Sequence, residues 1–472
     1  MRRHEATAGL DRELLLIASV VVVGAIMSIL DTTIVNVALA RLGEDLSAPL
    51  DDVQWVATGY LLALAIVIPL SGWTAERFGT RRVWLTSVAL FVAGSVLCGA
   101  AWSLESLVTF RVLQGLGGGM VMPVGMIVLA QSAGPQRVGR VMSVIGVPML
   151  LAPVLGPVLG GLIVDDLSWR WIFFVNVPVG LVGIALGLRF LPRAPTSHDA
   201  GRLDVLGMVL LSPGLALLVF GLSETSTHGG LGATTAWLPL VAGVPLLAAF
   251  TLHALRARRP LIDMRLFGER PFASAAATSF LVAMALFGSL IVLPLLFQVA
   301  RGESPLHAGL LLAPQGLGAA LAMPLSGTLT DRIGGGRVAL AGIVAMTVAT
   351  IPLALIGPGT PLWAIDAVLF VRGIALGFSM MPAMAAAYAA LEPAEVPRAT
   401  SALNVIQRVG GSIGTTILAV VLAGKLGTME PNAAFAHTFW WTVGITVVAV
   451  LPAAVLVRST SGDRATSSFA NA

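Results

Sequence analysis

Along most of the chain, long apolar runs alternate with short polar breaks. A membrane-crossing helix needs about 20 mostly apolar residues. Runs of that kind lie at 14–38, 54–74, 83–102, 105–130, 139–163, 171–190, 204–223, 236–254, 272–299, 305–329, 337–356, 362–390, 399–423 and 437–457. The pattern predicts fourteen spans, numbered 1 to 14 in chain order. The breaks hold proline, glycine and charge, as in Leu191-Pro192-Arg193-Ala194-Pro195 and Arg256-Ala257-Arg258-Arg259-Pro260. Arg2 and Arg3 before the first run, and Ala38-Leu39-Ala40 after it, have the look of a secretory leader. That run is too long for a leader and holds Asp31 and Asn36 near its end, so it reads as span 1.

Composition agrees with the pattern. Of 472 residues, 57% are hydrophobic and 11% charged, and the mean hydropathy is +0.91. Soluble chains average about 45–50% apolar and about 25% charged. The numbers exclude a soluble globule, a disordered chain, a collagen repeat and a disulfide scaffold. Lys425 is the only lysine among 28 basic residues, and its A-G-K-L-G-T context is not a phosphate-binding loop. The glycines at 115, 117, 118 and 119 lie inside a span, where they cannot cradle a phosphate. Cys98 is the sole cysteine, so no intrachain disulfide forms. His4, His198, His228, His253, His307 and His437 lack metal-ligand spacing. No enzyme activity, metal, organic cofactor or nucleic-acid partner is expected.

Arginine placement gives the orientation. With both termini in the cytoplasm, 21 basic residues fall on the inner side and 4 on the outer, at Arg41, Arg170, Arg301 and Lys425. Arg111, Arg372 and Arg408 fall inside spans. The chain also repeats itself. Gly72-Trp73-Thr74-Ala75-Glu76-Arg77-Phe78-Gly79 follows span 2, and Gly327-Thr328-Leu329-Thr330-Asp331-Arg332-Ile333-Gly334 follows span 10; both read G-x-x-x-[DE]-R-x-G. The repeat predicts two six-helix bundles, at 1–190 and 272–457, with two extra spans at 191–271 and a cytoplasmic tail at 458–472. Parallel halves around a central path are a transporter architecture.

These residues resemble the major facilitator superfamily, and within it the fourteen-span drug:proton antiporters. The likeness runs the length of the chain. It rests on Leu30-Asp31-Thr32-Thr33-Ile34-Val35-Asn36-Val37-Ala38-Leu39 in span 1, the two loop motifs, and Arg111-Val112-Leu113-Gln114-Gly115 in span 4. Span 5 adds Gly146-Val147-Pro148 and Ala152-Pro153-Val154-Leu155-Gly156-Pro157-Val158-Leu159-Gly160-Gly161. Span 6 opens with Trp169-Arg170-Trp171-Ile172-Phe173-Phe174-Val175-Asn176-Val177-Pro178. The resemblance implies an all-α membrane protein of the major facilitator fold.

Asp31 and Arg111 lie at matching depth, about 10 Å and about 9 Å from the outer ends of spans 1 and 4 at 1.5 Å per residue. Intramembrane charges are costly and usually functional. An alternating environment would let Asp31 take up and release a proton; the plainer reading is a fixed ion pair. In the resembled family the span-4 arginine is linked to proton coupling. Gln114, three residues on, shares the face of Arg111. In span 5, Gly146, Pro153, Gly156, Pro157, Gly160 and Gly161 resemble the family's antiporter motif and imply export, beside a plain role in close helix packing. In the loop motifs, Gly72, Glu76, Arg77, Gly79 and Arg81, with Gly327, Asp331, Arg332 and Gly334, are candidates for gating. An acid there can pair with an arginine or a helix N-terminus and latch the cytoplasmic side. Glu76 is longer than the usual aspartate, which puts the first latch in question.

Arg372 and Arg408 each lie about 15 Å deep, and no acid accompanies them in span 13. Either they favour neutral, zwitterionic or anionic substrates over dications, or they bind backbone carbonyls or Asp366. Asn36, Gln54, Trp55, Tyr60, Gln114, Gln298, Gln315, Arg372, Asn404, Gln407 and Arg408 are candidates for the substrate path. Spans 7 and 8 carry few polar groups and are expected to face lipid. Taken together, the chain is expected to be a monomeric exporter of small amphiphilic drugs or antibiotics, driven by protons, in a bacterial cytoplasmic membrane. The alternative is a same-fold exporter of one endogenous metabolite, lipid precursor or siderophore.

Overall fold

The computed structural model describes residues 11–134, 137–193, 201–227 and 230–469, and every regular element among them is helical. Thirteen helices are long and apolar enough to cross a membrane, from Arg12–Leu39 to Pro431–Ser459. The 29-residue helix Val138–Asp166 lies at span 5 and completes the fourteen. A chain so apolar has little choice. In hydrocarbon every backbone N–H and C=O must find a partner within the protein, and a helix provides them all locally.

Several spans are longer or more broken than their apolar runs suggest. Span 1 is helical over Arg12–Asp45, beyond the expected 38. Span 2 runs as Trp55–Val67, a 3-10 turn Ile68–Leu70 around Pro69, and Ser71–Phe78. Span 9 ends in a π turn, Leu296–Ala300, which contains Gln298. Span 12 splits into Leu362–Gly377 and Met380–Ala389. The expected tail at 458–472 continues the last helix as far as Phe469. Proline explains the break in span 2, since it removes a backbone donor.

The sequence repeat is a structural repeat. Gly79 and Gly334, the last residues of the two loop motifs, both turn with positive φ, 83° and 97°. Few residues other than glycine adopt that region. Packing repeats as well: span 1 lies along spans 5, 4 and 6, and span 9 along spans 13, 12 and 14. Span 2 packs on span 4, as span 10 packs on span 12. The two halves then meet along two seams. Span 10 packs on span 5 at one, and span 13 on span 2 at the other; the repeat exchanges them.

Glycine sets the closest approaches. A methyl group at Gly156 would lie 1.9 Å from Thr33 Oγ1, and one at Gly373 would lie 2.0 Å from the Gln315 carbonyl oxygen. Gly160 sits against Ile34, whereas Gly161 has open space around its Cα. Gly161 is therefore not needed for this packing, in contrast to its expected part in the span-5 motif. The side chains of Pro153 and Pro157 lie outside the described residues.

The two extra spans differ from each other. Span 8, Thr234–Arg256, is the least buried of the candidate spans and packs chiefly on span 7. Span 7, Val205–Thr227, is not simply lipid-facing. It lies across the seam between spans 2 and 13. Ser212 Oγ donates to the Ile66 carbonyl at 2.8 Å, and Thr416 Oγ1 donates to the Leu222 carbonyl at 2.9 Å. Trp55, expected in the substrate path, stacks on Phe220 of span 7 with ring centroids 5.7 Å apart. Low polarity concealed this position, because the span binds its neighbours through two hydroxyls and a ring.

Gly373→Leu should lower the melting temperature of the purified protein, since overpacking costs about 1–3 kcal/mol. Gly427→Leu, where nothing lies within 4 Å of the added carbon, should leave it unchanged.

Candidate functional site

Span 1 carries Asp31 to the interior of the first half, and span 4 carries Arg111 to meet it. Arg111 Nη1 donates to Asp31 Oδ2 at 2.6 Å, and both side chains are almost completely buried. Asp31 Oδ1 accepts from Gln114 Nε2 and from Asn176 Nδ2, each at 2.9 Å. Ser95 Oγ in span 3 accepts from the same two amides at 3.1 Å and donates to the Phe173 carbonyl at 2.9 Å. Arg111 donates further to Gln114 Oε1 at 2.7 Å and to the Val56 carbonyl at 3.0 Å. Its guanidinium lies 4.1 Å from the centre of the Tyr60 ring.

Asp31 thus receives three N–H donors and gives no proton to any of them. That is the partner set of a carboxylate, not of a carboxylic acid. A buried ion pair recovers its desolvation cost only when its remaining hydrogen-bonding capacity is filled, and here five spans contribute to filling it. A proton arriving at Asp31 would displace a donor and disturb spans 1, 2, 3, 4 and 6 together.

The second half holds the corresponding arginine without the acid. Arg372 Nη2 donates to Ser289 Oγ at 2.7 Å, Nη1 to Gln315 Oε1 at 2.7 Å, and Nε to Thr350 Oγ1 at 3.2 Å. These acceptors come from spans 9, 10 and 11, which correspond to the Asp31, Val56 and Ser95 spans of the first half. No carboxylate pairs with Arg372 among the described residues. Arg372 is 1% exposed, so it and Gln315 serve each other and neither lines an open path in this structure, contrary to expectation. The acceptors are side chains, not the carbonyls or Asp366 of the plainer reading. Asp366 Oδ1 is buried without a hydrogen-bond partner, within electrostatic range of His307.

At the arginine-rich end of the bundle, the two seams are pinned by one repeated device. Glu76 accepts from Arg398 Nε and Nη2, both at 3.1 Å. Asp331 accepts from Arg140 Nε at 2.7 Å and from the Gly139 N–H at 3.0 Å, at the first turn of the span-5 helix. Four residues before each acid a glycine lets the partner helix close in. The Gly72 N–H donates to Ser401 Oγ at 2.8 Å, and a methyl group at Gly327 would lie 2.6 Å from Ser143 Oγ. The longer Glu76 forms its latch by gripping Arg398 with both oxygens.

Other expected residues are placed less centrally. Arg77 and Arg332 are exposed, and Arg81 donates to the Leu188 carbonyl within the first half. Gly146 packs on Met323 across the 5/10 seam. Asn404 donates to the Thr400 carbonyl of its own helix, and Gln407 is buried with its Nε2 lacking a partner. Asn36 is exposed, while Gln54 and Gln298 are half-buried. Arg408 is exposed and makes no ion pair among the described residues.

The profile of the Major Facilitator Superfamily matches residues 21–415 and, in a second match, 275–471. The chain belongs to this superfamily. A relative named multidrug resistance protein B homolog, from Mycobacterium tuberculosis H37Rv, is 43% identical over 425 residues, covering 89% of this chain and 78% of the relative. The putative multidrug resistance protein MdtD of Escherichia coli K12 is 32% identical over 450 residues, 93% of each chain. Among solved structures, the proton:xylose symporter XylE superposes with TM-score 0.67 at 15% identity, over 94% of this chain and 95% of that one. The human organic anion transporter MFSD10 superposes with TM-score 0.64 at 15% identity, over 94% and 100%. Both share the fold. This major facilitator protein is a multi-pass membrane transporter.

Reading the sequence as spans located Asp31, Arg111 and Gln114 but missed Asn176, Ser95, Arg140 and Arg398. Asn176 was legible as a polar residue inside an apolar run. The two arginines had a shared signal, R-x-x-S at the start of spans 5 and 13, as Arg140-Val141-Met142-Ser143 and Arg398-Ala399-Thr400-Ser401. Ser95 had none.

Replacing both latch acids, Glu76→Ala with Asp331→Ala, should open the arginine-rich end. A cysteine placed at the seam residue Met323, in a Cys98→Ser background, should then react several-fold faster with a water-soluble maleimide than in the latched single-cysteine parent, which keeps Glu76 and Asp331.

Proposed function

We propose that this transporter exports small amphiphilic drugs or antibiotics in exchange for protons, by alternating access across a bacterial cytoplasmic membrane. The observation that carries the reading is the buried Asp31 cluster, one carboxylate held by donors from across the first half. The names of the relatives support the substrate class. With the latched end read as cytoplasmic, which its arginine bias supports, the latched form is closed to the cytoplasm.

In that form Asp31 waits as a carboxylate for a proton from outside. Protonation cancels the charge that holds Arg111 Nη1 and turns one carboxyl oxygen into a donor, which Gln114 or Asn176 must turn away from. Spans 1, 4 and 6 then repack, the Glu76–Arg398 and Asp331–Arg140 pairs part, and the cytoplasmic side opens. There the proton leaves and a drug enters from the inner leaflet or cytoplasm. Re-forming the cluster closes the cytoplasmic side again. The proton gradient supplies the energy, with no cofactor. Both seams are completed within one chain, which suits a monomer.

Cells expressing the wild type should extrude drugs or dyes in a protonophore-sensitive manner. Asp31→Asn, at equal expression, should lower that efflux at least tenfold. Protonophore-sensitive efflux that survives the substitution would place the proton site elsewhere, and export confined to a single metabolite would replace the drug reading.

A further inference from the structure

Of the three arginines deep in the spans, two are fully engaged. Arg111 is paired with Asp31, and Arg372 is held by Ser289, Gln315 and Thr350. Arg408 has neither kind of partner among the described residues. It lies twelve residues into the 31-residue helix Val396–Leu426, about 18 Å along it. The side chain keeps an exposed surface, on a helix that packs against spans 2, 4, 7, 9 and 14. Tyr60, a fully buried residue of span 2, is within its electrostatic range, so the side chain reaches toward the interior of the bundle.

Its direction is fixed by its helix. Ser401, which bonds Ser71 Oγ and the Gly72 N–H across the seam, is seven residues earlier and therefore on the same face. Arg408 accordingly points at the first half, about 10 Å along the helix from Ser401. Arg111 covers the ring of the same Tyr60 at 4.1 Å. A bare guanidinium at such depth is unfavourable unless water or a ligand meets it. Asp31, the carboxylate of the first-half cluster, is already saturated with donors.

We infer that Arg408 is the anion-recognising group of the central path, and that it selects amphiphiles bearing a carboxylate or a similar oxyanion. A guanidinium offers such a group two parallel N–H donors, and an unpaired cation in the same space repels cationic drugs. The inference rests on the export reading for its biological meaning, but binding alone tests it.

The test uses the purified full-length protein in detergent, with fluorescence anisotropy of three amphiphilic probes: fluorescein (anionic), Nile red (neutral) and ethidium (cationic). Wild type should bind fluorescein more tightly than ethidium. Arg408→Gln should weaken fluorescein binding at least tenfold and change Nile red binding less than twofold. Arg408→Lys, which keeps the charge, should retain most of the fluorescein affinity. The inference is overturned if wild type does not bind fluorescein, if it prefers ethidium, or if Arg408→Gln weakens all three probes equally. Should Arg408→Gln not fold, loss of wild-type fluorescein binding at high salt, with Nile red unaffected, is the expected outcome, and salt-independent binding overturns the inference. No gradient is present, so failure of proton coupling in cells would leave this result standing.

Discussion

The structure depends on the contact between its two halves at the arginine-rich end. Each half buries its own apolar faces against itself, so little besides the seams fixes how one half sits on the other. There a glycine admits the partner helix, a serine hydroxyl fills the gap, and a carboxylate grips an arginine three residues before that serine. The same four parts occur twice, as Gly72, Glu76, Arg398 and Ser401, and as Gly327, Asp331, Arg140 and Ser143. These ion pairs are only partly buried, and pairs of that kind are worth little singly. Such contacts are specific without being strong, which fits the opening joint that the proposed cycle requires.

Against that symmetry, the two interior arginines show how one half became different. Both sit at the same place in their bundles and reach the corresponding neighbouring spans. In the first half the span-1 partner is Asp31, and in the second the span-9 partner is the Ser289 hydroxyl. A hydroxyl holds a guanidinium in place but does not change charge near neutral pH. At this matched position, therefore, only the first half carries a group whose charge a proton can switch. Span 7 breaks the symmetry a second time, because it bonds to both sides of one seam and has no equivalent at the other.

Much of this was legible in the sequence. The apolar runs gave the spans to within a few residues, and the two G-x-x-x-[DE]-R-x-G loops revealed the repeat. Asp31 and Arg111 could be paired from depth alone, since helix rise is fixed and an isolated charge in hydrocarbon is not tolerated. Span ends and internal breaks were less visible, because polar helix turns extend past the apolar run and a π or 3-10 turn leaves little trace in composition.

What the sequence could not decide was rotation. Hydropathy along a fully apolar helix has no strong face, so it does not say which neighbour a residue meets. Arg372 and Arg408 look alike as isolated arginines at one depth, yet one is enclosed by Ser289, Gln315 and Thr350 and the other faces the opposite half. Trp55 stacks on span 7, and span 7 lies across a seam, for the same reason. The sequence by itself determined the solvent, the number of spans, the repeat and the one charge pair, because these follow from local apolarity and helix geometry. The tertiary structure alone decided which polar groups satisfy one another and which stay free, because that depends on how helices turn about their axes when they pack.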